Sequence, residues 1–154
     1  MKFINATPTS TDTVSAADPL MTLAQWQASR SDWPAQAPAC VTVPNDVDIE
    51  TLEADLPQLA VIALQFPKWV DGRAYSQARL LRSRFGFRGE LRATGEVLVD
   101  MLPLLQRTGF DAVQLRADQD LEEARAALQF FVGPDAHYQG DVQVHAPIFQ
   151  RRAA

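Results

Sequence analysis

The sequence predicts an α/β protein built on a mostly parallel sheet of about five strands, and three observations carry that prediction. From Cys40 to Ile148 the spacing of apolar residues switches repeatedly between a strand period and a helix period. Leu59 to Phe66 is a near-continuous apolar run, the pattern of a strand covered on both faces in a parallel sheet. Helix signals fall between the strand segments, with Asp71 and Asp120 placed to cap helix starts and Gly86, Gly109 and Gly133-Pro134 placed to end them. The resulting order β-α-β-α-β-α-β-α-β implies right-handed crossovers. Two architectures stay open at this point: a Rossmann-like open sheet with helices on both faces, or a half-TIM-barrel-like sheet with helices on one.

Residues 1–19 are rich in Ser, Thr, Ala and Asp, and beyond a short strand at Phe3-Ile4 they read as a loose N-terminal segment. Residues 20–154 read as a single α/β domain. Leu20, Leu23, Ala24 and Trp26 fit a short helix packed outside the main sheet, followed by a polar link to Pro38. Cys40 to Val43 is the first strand of the repeat, Asp48 to Leu56 a short acidic helix, and Leu59 to Phe66 the second strand. Gly72 to Phe85 is a helix with Ala74, Ala78, Leu81 and Phe85 on its inner face, and Glu90 to Thr94 is the third strand. A helix is expected from Thr94 or Gly95 to Gly109, with Pro103 inside it relaxing its hydrogen bonds near Val99. Asp111 to Leu115 is the fourth strand. Asp120 and Glu123 form a capping box for a helix with Leu121, Ala124, Leu128 and Phe131 inward, and Val142 to Ile148 is a last strand.

The chain has 154 residues, 47% of them hydrophobic, enough for one ordinary core. A net charge of -5 argues against duplex nucleic acid, which needs a broad basic face. The single cysteine, Cys40, excludes an internal disulfide and a four-thiolate metal site within one chain. His137 and His145 stand without patterned carboxylates, so no metal is expected. Glycine-rich dinucleotide, Walker, nucleophile-elbow and Cys-x-x-Cys motifs are all missing, so no cofactor is expected. With neither a signal-peptide core nor a long apolar run, a cytoplasmic, non-membrane protein is expected; oligomerisation stays open.

Charge is unevenly distributed. Between Phe66 and Glu96 lie seven of the fourteen basic residues, Lys68, Arg73, Arg79, Arg82, Arg84, Arg88 and Arg92, against Asp71, Glu90 and Glu96. In a parallel sheet the loops after the strands gather at one edge, where ligands bind. Lys68, Trp69, Asp71, Arg73, Arg92, Thr94, Glu96 and Arg116 are therefore candidate anion- or ligand-binding residues, with helix starts near Gly72 and Gly95 adding backbone donors. Tyr75, Arg79 and Arg82 share a flank of their helix and are candidates for meeting an acidic partner. The plainer alternatives are capping and pairing for Asp71 and Arg73, a solvated face for the arginine flank, and a lid over the core for Trp69.

The segments Phe66-Pro67-Lys68-Trp69, Asp71 to Arg82, Gly89 to Leu98 and Arg107 to Ala112 resemble the bacterial domain-of-unknown-function family 934, over roughly Pro19 to Leu115. The resemblance implies a place in assimilatory sulfite reduction, because members of that family are commonly encoded beside the sulfite reductase haemoprotein and described as probable oxidoreductases. It brings no catalytic residues. The chain departs from the family pattern in its Ser/Thr/Ala-rich N-terminus, in Pro103, and in Thr108, which stands where a cysteine is frequent and removes thiol chemistry there. The readings that follow are an accessory or electron-transfer protein acting with the haemoprotein or its electron donor, a small enzyme binding an oxyanion or nucleotide of the same pathway, and a non-catalytic scaffold.

Overall fold

The computed structural model describes residues 1–4, 20–34 and 36–130. Its elements in chain order are β1 (Lys2–Phe3), β2 (Met21–Thr22), α1 (Leu23–Ser29), β3 (Ala39–Val43), a 3-10 helix (Ile49–Gln58), β4 (Leu59–Phe66), α2 (Arg73–Ser83), β5 (Glu90–Gly95), a 3-10 turn (Val99–Met101), α3 (Leu102–Thr108), β6 (Ala112–Val113) and α4 (Leu121–Phe130). The strands form one open, all-parallel sheet in the order β1-β6-β5-β4-β3-β2. This is the α/β class the sequence predicts, with six strands among the described residues. The expected strand Val142 to Ile148 lies outside them.

From β2 to β6 the strands lie side by side in chain order, without the reversal that defines a doubly wound sheet. Serial order with right-handed crossovers keeps successive helices on one side of the sheet. In agreement, α2 packs against both the 3-10 helix and α3, and α3 against α4. The sheet is thus open like a Rossmann sheet and serially wound like a run of βα-barrel units.

Strand alternation then sorts the side chains. Val41, Val43, Ile62, Leu64, Phe66, Leu91, Ala93 and Val113 belong to the main core with Ala74, Ala78 and Leu81 of α2 and Leu102 and Leu105 of α3. Cys40, Thr42, Val61, Ala63, Arg92 and Ala112 alternate with them and so point to the other face.

Several elements differ from expectation for identifiable reasons. Ile49–Gln58 is a 3-10 helix whose buried residues Ile49, Leu52 and Asp55 recur every third position, the period of that helix. Buried Asp55 is held by Arg30 Nη1 at 3.0 and 2.9 Å. Helix α1 packs on β2 and β3 and drives Trp26 into the main core, fully buried and edge-on to Trp33 with ring centroids 5.7 Å apart. Pro103 breaks nothing, since it falls in the first turn of α3, where a backbone N–H has no partner to lose. The preceding stretch stays in β5 as far as Gly95 and then makes only the 3-10 turn. Asp120 caps α4 through the backbone N–H groups of Glu122 and Glu123, at 2.8 and 2.9 Å.

Candidate functional site

Parallel strands bring the loops after β3, β4, β5 and β6 to one edge of the sheet, and backbone hydrogen bonds fasten these loops to one another. Glu96 N donates to Phe66 O at 2.8 Å, joining the third loop to the root of the second. Between them Gly95 has φ +93°, and a Cβ there would lie 2.5 Å from the same Phe66 oxygen, so only glycine fits. Arg116 N donates to Val97 O at 3.0 Å, and Val99 N to Gln119 Oε1 at 2.9 Å, which ties the fourth loop to the third. The first loop is held by α2: buried Gln77 donates from Nε2 to both Pro44 O and Val47 O, at 2.9 Å each.

Lys68, Trp69, Asp71, Arg73, Glu96 and Arg116 all lie on these loops or at their junction with α2. Their charges, however, meet each other. Arg73 directs Nε and Nη2 at the two oxygens of Asp71, at 3.0 and 2.7 Å, while its backbone N–H also reaches Asp71 Oδ1 at 3.3 Å. Hydrogen bonding by the Arg73 fork holds the Asp71 carboxyl well below the usual carboxylate range. Arg116 is claimed from two sides, by Asp118 at 2.6 and 2.7 Å and by Glu96 at 2.8 Å. Hydrogen bonding to Arg116 lowers Asp118 to about 2, and Asp118 and Glu96 raise Arg116 in turn. Lys68 makes no ion pair among the described residues. Beside it Trp69 is 57% and Val70 66% exposed.

Arg92 and Thr94 do not join this edge as expected. Arg92 is 3% exposed in the middle of β5, on the face away from the helices, paired in register with Ala63 and Ala112. Its Nε and Nη2 bind Glu90 Oε1 at 3.0 and 2.7 Å, and Lys2 of β1 takes Glu90 Oε2 at 3.1 Å. Burial pushes the Glu90 carboxyl up, but Arg92 and Lys2 outweigh it and the net shift is down. Thr94 is buried, its hydroxyl donating to Leu64 O at 3.3 Å.

The expected partner flank is also divided. Arg79 is exposed and makes no ion pair among the described residues. Tyr75 is half-buried, edge-on to Phe66 at 5.0 Å and to Phe110 at 6.4 Å, and burial pushes its hydroxyl up to about 12. Arg82 turns inward at the opposite end of the sheet. It donates from Nε to Gly109 O at 2.9 Å, from Nη1 to Phe87 O and Gly89 O at 2.6 and 2.9 Å, and from Nη2 to Asp111. Asp111 also accepts Leu91 N at 2.9 Å. The guanidinium therefore staples the end of α2 to the starts of β5 and β6.

Sequence reasoning missed Gln77, Asp111 and Asp118. For Gln77 a signal existed, a lone amide among Ala74, Ala78 and Leu81 on the inner face of α2. Asp111 and Asp118 carried none, because their arginine partners are distant in sequence or were assigned to a ligand. Among the described residues no cluster of three or more His, Cys, Asp or Glu side chains could hold a metal ion, and no helix is long and apolar enough to cross a membrane.

No curated protein and no solved structure matches the chain. A family model does match, over residues 40–149, which takes in every strand from β4 to β6, the loops at the site edge and the Arg82 staple. The chain belongs to DUF934, a family of bacterial proteins of unknown function.

Proposed function

We propose that the protein is an accessory component of assimilatory sulfite reduction that works by docking to the sulfite reductase haemoprotein or its electron donor. The process rests on the resemblance to a family commonly encoded beside that haemoprotein. The mode of action rests on one observation: the guanidinium forks at the site edge are occupied by the chain's own carboxylates, Arg73 by Asp71 and Arg116 by Glu96 and Asp118. A small oxyanion would have to displace those carboxylates, whereas a protein partner can use what the edge leaves exposed. The oxidoreductase description is carried here only as electron delivery within such a complex.

The purified chain should co-elute with the haemoprotein and change its rate of sulfite reduction when the electron donor is limiting. Independent elution at micromolar concentrations together with an unchanged rate would remove this reading.

A further inference from the structure

We propose that the turn Lys68-Trp69-Val70 is the docking point itself, and that it inserts into an apolar pocket rimmed by carboxylates on a protein partner. The inference deepens the docking reading and rests on it for the identity of the partner, but not for the chemistry of the turn.

Among the described residues the exposed large apolar side chains are Trp69, Val70, Leu80 and Leu104, and two of the four are adjacent in this turn. Loop tips are ordinarily polar, so an indole and a valine side by side at the ligand edge of a parallel sheet need a reason. Tryptophan is enriched among the few residues that carry most of the binding energy in protein interfaces. The turn is also preorganised. Asp71 N donates to Lys68 O at 3.0 Å, the Asp71–Arg73 pair clamps its far side, and Glu96 N fixes Phe66 O at its root. A turn already held in one shape has less conformational entropy to lose on binding.

Charge selects the partner. Asp71, Arg73, Glu96, Arg116 and Asp118 satisfy one another, so among the described residues Lys68 is the cation left at this edge without an internal carboxylate. A pocket offering an acceptor beside an apolar floor complements a lysine next to an indole, and a basic pocket does not. Because the whole chain carries -5, long-range electrostatics oppose an acidic partner and the apolar tip must dominate affinity. Trp69→Ser should therefore weaken binding to the haemoprotein roughly thirtyfold or more at any salt concentration. Lys68→Glu should weaken it only about fivefold, an effect that fades as salt rises.

Two arms test this separately from the choice of partner. In the first, full-length wild type, Trp69→Ser and Lys68→Glu are titrated against the purified haemoprotein; binding that survives Trp69→Ser overturns the inference and leaves the accessory role standing. In the second, the chain is labelled with fluorotryptophan, the Trp69 resonance is assigned through Trp69→Phe, and the sample is titrated with 4-phenylbutyrate and with 4-phenylbutylammonium. A saturable shift with the carboxylate alone supports the inference even if the haemoprotein does not bind, in which case the partner assignment fails. Equal response to both probes, or to neither, overturns it.

Discussion

Arg82 illustrates how a side chain's role is decided by what surrounds it and not by its residue type. With its flank on α2 it reads as one more surface cation, yet its guanidinium meets three carbonyls and a carboxylate, and its side chain is only 12% exposed. Truncation would leave the Gly89, Gly109 and Phe87 carbonyls short of a donor and Asp111 short of its cation. Arg82→Ala should lower unfolding free energy by roughly 2 to 4 kcal/mol, since it breaks a largely buried charged network. Arg79→Ala, one turn earlier and exposed, should change it by less than about 0.5 kcal/mol. Urea denaturation of the two variants checks the contrast, and similar losses at both positions would contradict the staple. The sequence made the charge of Arg82 visible but not its direction, because all four of its partners lie in connections before β5 and β6 whose approach to α2 depends on the sheet being assembled.

At the scale of elements, local pattern was most readable where burial and hydrogen bonding agree. β4, α2 and β5 stand close to their expected bounds, since the apolar run of β4 is buried on both faces of the sheet and the Ala74, Ala78, Leu81 stripe of α2 faces the main core. The stretch after β5 has apolar residues at helical spacing, yet its backbone is committed elsewhere: Glu96 N reaches back to Phe66 O and Arg116 N to Val97 O. Gly95 is the hinge of that commitment. In Gly95→Ala the Cβ would need both a left-handed conformation, at φ +93°, and room 2.5 Å from a carbonyl oxygen that is backbone and cannot swing aside. The expected cost is about 2 to 3 kcal/mol, the sum of conformational strain and a displaced strand end. Thermal unfolding should show the loss, and amide exchange should show it centred on Phe66, Glu96 and Val97. A neutral result would mean that the third loop is not anchored on β4.

For the whole molecule, counting charge along the chain overstates the positive region between Phe66 and Glu96, because carboxylates from outside it neutralise part of it: Glu50 pairs with Arg84 and Asp111 with Arg82. The gathering of loops at one edge was legible from the βα order, and the pairing across them was not. A consequence can be measured with a simple anion. In the wild type, sulfate or sulfite must compete with a carboxylate tethered two residues from Arg73, an intramolecular partner that is never diluted. Although such an exposed pair adds little to stability, it keeps the fork filled. Sulfite and sulfate should therefore shift the Arg73 Nε–H resonance no more than chloride does at equal ionic strength. Asp71→Asn keeps a side chain able to accept the Arg73 backbone N–H, so α2 should still start where it does. It removes the competing charge, leaving Lys68 and Arg73 without a carboxylate between them. Sulfate affinity should then rise roughly tenfold, the worth of one charge-assisted hydrogen bond of about 1.5 kcal/mol. Selective sulfite binding by the wild type would reverse the conclusion, favouring a small oxyanion-binding enzyme over a docking protein.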